Sequence, residues 1–338
     1  MKKIKKTLLL LLCISFICGC GSKTDTLENE KIEEENKPQL KIVDLDSKTR
    51  PYAVMINNHA SARKNHAGLQ DAYIVYEMIV EGGMTRYMAL FKDKDTAKIG
   101  SVRSSRHYYL DYAMENDAIY VHWGWSPQAQ QDISKYKINN INGIAYENKY
   151  FYRDKSLNVS YEHTGFTKME LLKKATSDLN YRTTLNKDLL LNYSVDEINL
   201  SEKDSSKVAN NVKIVYSSSV NTSYVYDSEQ KVYKRYVNGV EHKDAITGEQ
   251  YTAKNIITYQ VKNSNITGDN KGRQDFDNIG SGVGYYITNG YAVEINWKKD
   301  SRESQTVYTY KDGSEIVVND GNTYIQIQPM SQTLTISE

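Results

Sequence analysis

Glu81-Gly82-Gly83-Met84-Thr85-Arg86-Tyr87-Met88-Ala89-Leu90-Phe91, continuing to Ile99-Gly100-Ser101-Val102-Arg103-Ser104-Ser105-Arg106-His107, is the stretch that decides how the chain reads. Two apolar runs, Tyr87 to Phe91 and Ile99 to Val102, flank the polar segment Lys92-Asp93-Lys94-Asp95. That pattern predicts two strands paired antiparallel across a tight connection. A helical pattern follows Arg103-Ser104-Ser105-Arg106, with Ser104 or Ser105 placed to cap it. A helix N-terminus beside two arginines suits an anion such as phosphate or carboxylate, and Arg86 could add a third guanidinium.

Upstream, Tyr52-Ala53-Val54-Met55-Ile56 reads as a buried strand stopped by Asn57-Asn58-His59. Ala72 to Val80 is apolar apart from Tyr76 and Glu77 and fits strand or helix. Downstream, Arg106 to Glu115 carries Leu110, Ala113 and Met114 on one helical face, and Ala118 to Trp123 is a further strand. Ser126-Pro127 opens a second helix, and Thr167-Lys168-Met169-Glu170 reads as a capping box opening a third. Strands and helices therefore intermix over residues 50–192, which predicts an α+β or α/β N-terminal domain with a mixed sheet.

Residues 193–206 read as a linker. Beyond it, short alternating runs such as Lys213-Ile214-Val215-Tyr216 and Val232-Tyr233-Lys234-Arg235-Tyr236 recur between turn signals. Asn238-Gly239, Asn289-Gly290 and Asp312-Gly313 are the strongest of these turns. The pattern predicts an all-β C-terminal domain, barrel or sandwich-like, over residues 207–329, with a tail at 330–338.

The 338 residues, 39% hydrophobic and 25% charged, suffice for two such domains. Lys2, Lys3, Lys5 and Lys6 precede the apolar run Leu8 to Ile17, too short to span a bilayer comfortably. Ile17-Cys18-Gly19-Cys20 resembles a bacterial lipobox, so residues 1–20 are expected to be a cleaved signal, leaving a diacylglyceryl-Cys20 that holds the protein on the outer face of the cytoplasmic membrane. The alternative is a cleaved signal that merely contains cysteines. Residues 21–49 are polar and acidic, as a solvated tether would be. All three cysteines lie in or at the end of the signal, so the mature chain is expected to hold no disulfide, Cys nucleophile or Cys-ligated zinc. Removing the four signal lysines from 43 basic residues leaves 39 against 42 acidic ones, a charge of −3 that does not suggest nucleic acid.

Three constellations carry chemistry. Arg86, Arg103 and Arg106 could bind an anion, or could form ion pairs with Glu77, Glu81 or Asp111. Glu77 and Glu81 could act as a carboxylate pair or as partners of those arginines. His122 with Trp123 and Trp125 could stack on a sugar, or could pack in the core. His59 and His107 stand singly, without metal-ligand spacing, and no Gly-rich phosphate loop, nucleophile elbow or HExxH motif is present, so neither metal nor cofactor is expected.

Arg50-Pro51-Tyr52-Ala53-Val54-Met55-Ile56-Asn57-Asn58-His59, Val75-Tyr76-Glu77, Val80 to Arg86, Ile99 to Arg106 and Tyr120-Val121-His122 together resemble the YerB family of lipoproteins from Gram-positive bacteria. The resemblance extends to Gly321-Asn322-Thr323-Tyr324-Ile325 and implies a two-part domain of unknown function without a settled activity. It also implies an aspartate where this chain has Asn57, and a Pro-His-Asn pattern where it has Tyr152 to Thr164, so no catalytic role is assigned to Asn57 or His163. The arginine motifs alone also resemble the LytR-CpsA-Psr enzymes, which handle polyprenyl pyrophosphate. The function expected is a non-enzymatic envelope factor that binds an anionic wall polymer, a polyprenyl phosphate lipid-linked precursor or a wall-synthesis protein. The alternatives are an enzyme acting on phosphate-linked glycans and a purely structural partner of a membrane complex.

Overall fold

The computed structural model describes residues 40–338; the expected signal, Cys20 and most of the expected tether lie outside the described residues. The first half contains β1 (Tyr52–Asn57), β2 (Ile74–Ile79), β3 (Thr85–Phe91), β4 (Ile99–Gly100), α1 (His107–Glu115), β5 (Ile119–His122), α2 (Pro127–Lys135), β6 (Asn140–Asn142), β7 (Tyr152–Arg153), β8 (Gly165–Thr167) and α3 (Met169–Asp178). β1, β2 and β3 bury every residue, so each needs a neighbour on both edges and a covering layer on both faces. β3 finds its neighbours in β2 and β1, antiparallel to both. β1 continues parallel to β5, and β5 parallel to β6 across α2.

The expected pairing of Tyr87–Phe91 with Ile99–Val102 does not form. β4 has only two residues and pairs with β8 in a small separate sheet. A seven-residue strand buried on both faces is better satisfied by β1 and β2, six residues each, than by so short a partner. The capping expectation also fails. The Ser104 hydroxyl donates to the Trp123 carbonyl (2.9 Å), and the Ser105 hydroxyl accepts from Tyr120 (2.8 Å). Arg106 is left as the N-cap residue, with no side-chain cap. Thr167 likewise donates to the Tyr150 carbonyl (2.8 Å) rather than capping α3.

The C-terminal half is mostly antiparallel β, and it extends the same sheet. Thr323–Pro329 lies parallel to β2, from Ile74↔Thr323 to Met78↔Ile327, and on its other edge parallel to Asn255–Val261. Gly280–Thr288 and Tyr291–Lys299 follow as an antiparallel hairpin. Its turn, Asn289-Gly290, has positive φ at both residues, as a type I′ turn requires. The resulting mixed sheet has eleven strands. A second, six-stranded sheet is built around Asn211–Val215, Asn221–Asp227 and Val232–Val237. Residues 334–337, within the expected tail, add a strand to it against Asn211–Val215, and Leu200 of the expected linker is fully buried.

The two sheets face one another across β2 and Thr323–Pro329, a sandwich-like arrangement. Alternation sends Glu77 and Gln326 toward the six-stranded sheet, where Tyr216 donates to Gln326 (3.0 Å) and Thr222 lies 3.1 Å from Glu77. The opposite face of β2 carries α1: the Tyr109 hydroxyl accepts from the Met78 amide (3.1 Å) and donates to the Arg86 carbonyl (2.6 Å), and Tyr76 donates to Glu115 (2.7 Å). Among the described residues no helix is long and apolar enough to cross a membrane.

Candidate functional site

β1 and β5 run parallel, and at their carboxyl ends the segment 101–106 threads between them. The Asn57 and Arg103 amides donate to the Ser101 and Met55 carbonyls (both 2.9 Å). Trp123 N–H donates to the Arg103 carbonyl (3.0 Å), and Ser105 N–H to the Gly124 carbonyl (2.9 Å). Arg103 is thereby laid across the carboxyl ends of parallel strands, the place where open α/β sheets carry ligands. The β1–β3 register sets Asn57 directly opposite Arg86, on the same edge.

The three arginines differ in how far they are already engaged. Arg106 grips Glu81 through Nε (2.8 Å) and Nη2, and spends Nη1 on the Ser105 carbonyl (2.6 Å). Arg86 reaches Glu81 at 3.3 Å and the Ser104 carbonyl at 2.6 Å. Burial opposes ionisation of Glu81, but the Arg106 hydrogen bond and both guanidinium charges outweigh it and hold the carboxyl at about 2. Burial, reinforced by the Arg106 charge, brings Arg86 down to about 10. Arg103 has one long contact, to the Glu162 carbonyl at 3.4 Å, and its remaining donors have no protein partner among the described residues.

Beside Arg103 stand two histidines. The Asn57 side-chain oxygen accepts from the His59 amide (3.1 Å), so its NH2 is the group that meets His163 Nδ1 at 2.7 Å. A neutral His163 must then carry its proton on Nε2. Burial first, then the nearby His59 and Arg103, lowers its pKa, although Glu162 opposes the shift. The His59 ring stacks on it at 4.8 Å between centroids. Next in the same 3₁₀ turn (Tyr161–His163), Tyr161 covers the Arg153 guanidinium at 4.0 Å, and Arg153 in turn lies 3.8 Å over Trp123.

The remaining predicted residues lie elsewhere or are enclosed. Glu77 does not meet the arginine trio. Neighbouring strand positions face opposite ways, so Tyr87 turns toward Glu77 while Arg86 turns away from it. Glu81 lies in a 3₁₀ turn beyond β2, which removes the shared face that even spacing along a strand would give. The partner of Glu77 is Arg235, at 2.8 Å, and both side chains are fully buried. Asp111 pairs with Arg302 at 2.6 Å. His122 is buried between the Gly124 carbonyl (2.8 Å) and Asn140 (3.1 Å), and burial lowers its pKa. Trp123 is enclosed: a Cβ on Gly143 or Gly165 would come within 2.4 or 2.7 Å of its indole. Trp125 is half-buried, with its ring 5.4 Å from His122.

A cleft of about 910 Å³ lies away from this cluster, lined by Lys98, Asp71, Asp244 and Lys234 among others. Four of its charges are already engaged: Lys98 with Asp154 (2.6 Å), Asp244 with the Gly68 amide (2.7 Å), Asp71 with Thr96 (2.8 Å) and Lys234 with Asp227 (2.7 Å). Sequence reading found Arg86, Arg103 and Arg106, but it missed that His59, Arg153, Tyr161 and Glu162 gather around Arg103. No single motif joins residues so far apart in the chain.

A helix-bearing half with a mixed sheet, continued by a β half and carrying a polar cluster at the strand ends, defines a two-part α+β class. The chain belongs to the family described as Protein of unknown function (DUF3048): its N-terminal domain matches residues 40–182 and its C-terminal domain residues 212–325. A relative named "Putative lipoprotein YerB", from Bacillus subtilis (strain 168), is 29% identical over 332 residues, covering 97% of this chain and 96% of its own. The crystal structure of YerB from Bacillus subtilis superposes with a TM-score of 0.76 at 28% identity, over 89% of this chain and all of that one. The family resemblance and the fold class drawn from the sequence are both borne out.

Proposed function

We propose that the protein is a lipid-anchored, non-enzymatic factor on the outer face of the cytoplasmic membrane, which binds an anionic group of an envelope polymer or lipid-linked precursor at Arg103. The anchor rests on the lipobox around Cys20 and on the name of the Bacillus subtilis relative. Anion binding rests on one observation: Arg106 is tied through all three nitrogens and Arg86 is held by Glu81 and the Ser104 carbonyl, while Arg103 makes a single long contact. Arg86 and Arg106 add positive charge behind it. The enzyme alternative draws its support from a histidine beside an arginine. With its Nδ1 lone pair taken by the Asn57 amide and its ring buried, however, His163 has no free lone pair with which to accept a proton.

The test is Arg103→Gln, measured by titration calorimetry with inorganic phosphate and with a glycerol-phosphate teichoic acid. Loss of a charge-assisted contact should weaken binding about ten- to a hundredfold. The melting temperature should hold, because no buried partner is orphaned. Unchanged binding, or a collapse of the fold in place of a loss of binding, would reject the site. The anchor has its own check: fatty-acid labelling that survives Cys20→Ala would reject it.

A further inference from the structure

Tyr161 is 65% exposed, yet its ring is held rigid. Its hydroxyl donates to Glu147 Oε1 (3.0 Å), its carbonyl accepts from Arg153 Nη1 (2.8 Å), and one face rests on the Arg153 guanidinium at 4.0 Å. Arg153 is itself fixed from below by Trp123 and from the side by Glu147 (3.1 Å). An exposed aromatic ring ordinarily keeps its rotamer freedom. This one is locked by a column of three stacked groups, with its outer face left to solvent. The two residues that follow it in the same turn complete a polar rim. The Glu162 carbonyl accepts from Arg103 and its half-exposed carboxylate is an acceptor for hydroxyls, while the buried His163 ring turns Nε2 toward that carboxylate (4.0 Å).

We infer that the turn Tyr161–His163 is a carbohydrate subsite, in which a pyranose ring stacks on the outer face of Tyr161 and its phosphate or carboxylate substituent is held by Arg103. A flat, pre-ordered aromatic face suits the apolar C–H face of a sugar, and such contacts lose little conformational entropy on binding. The Glu162 carboxylate then accepts from ring hydroxyls, the polar complement that stacking alone does not supply. An acyclic polyol phosphate would use Arg103 and leave Tyr161 idle. This inference deepens the anion-site reading and rests on it.

The experiment compares inorganic phosphate, glycerol 3-phosphate and N-acetylglucosamine 1-phosphate on the soluble chain, by calorimetry or by NMR titration. The sugar phosphate should bind about three- to tenfold more tightly than glycerol 3-phosphate. Tyr161→Ala should erase that preference while leaving phosphate affinity and melting temperature in place. Tyr161→Phe, which keeps the ring, should retain the preference. Arg103→Gln should weaken all three ligands. Equal affinity for the two organic phosphates, or a preference that persists in Tyr161→Ala, overturns the sugar subsite alone. Failure of all three ligands to bind overturns both the subsite and the anion site beneath it.

Discussion

Arg235 offers five N–H donors and no acceptor, so the His242 nitrogen facing it, Nδ1 at 2.5 Å, must carry a lone pair. The His242 proton therefore sits on Nε2 and is donated to His66 Nδ1 (2.8 Å), and the His66 proton sits on Nε2, facing the Asn57 carbonyl. Both tautomers follow from one guanidinium, and a proton added to either ring would meet another donor. Burial, the largest cause, pushes His66 down to about 3 and His242 well below the ordinary imidazole value of 6.5. Arg63 and Arg235 press both in the same direction, and His66 adds to the effect on His242, while Asp244 and the Asn57 carbonyl oppose it at His66. The unfolded chain thus takes up protons near pH 6.5 that the folded chain refuses. Stability is complete above that value and falls as the pH drops from 6.5 toward 3. Each histidine should cost on the order of 1–2 kcal/mol between pH 7 and 5. Urea unfolding at the two pH values tests this, and His242→Gln, which can still accept from Arg235 and donate to His66, should flatten the slope by about one proton. A pH-independent midpoint would refute it. At the far end of the same chain, Glu77 and Arg235 are both inaccessible, and breaking such a pair typically costs about 3–5 kcal/mol.

The elements differ in how readily they could be read. Tyr52–Ile56 declared itself by an unbroken apolar run, and Ala72–Val80 resolved to strand because it lies between two partners in the sheet interior. Asn289-Gly290 and Asn238-Gly239 form turns where expected, since Asn and Gly tolerate positive φ with little steric cost. The pairing of β3 was misread because local pattern shows that a strand exists without showing its neighbour. Connection length is deceptive here: the polar segment after Phe91 resembles a hairpin loop, yet the chain that follows pairs with β8 and with the end of β1 rather than with β3. Ser104 and Ser105 had good capping chemistry, and their hydroxyls were instead claimed by β5 and the residue after it. The site itself is carried by element ends: β1 supplies Asn57, the segment 101–106 supplies Arg103, and one 3₁₀ turn supplies Tyr161, Glu162 and His163.

At the scale of the molecule, the seam between β2 and Thr323–Pro329 makes the two family halves one sheet. We predict that residues 40–206 and 207–338, expressed separately, will not fold cooperatively. The first fragment would expose β2 as a long apolar edge with Glu77 unpaired, and the second would leave Arg235 without its carboxylate. A sharp two-state thermal transition in either fragment alone would refute this. The sequence by itself determined most of the elements, the class of each half, the family and the arginine motif, because these rest on apolar periodicity, turn chemistry and short contiguous patterns. Which arginine stays open, which carboxylate meets which cation, and that Tyr161 and His163 stand beside Arg103 were decided only by the tertiary structure. Those choices depend on strand partners and on which face of a strand each residue occupies. Neither is written locally, since shifting the pairing by one residue would send every side chain to the opposite face.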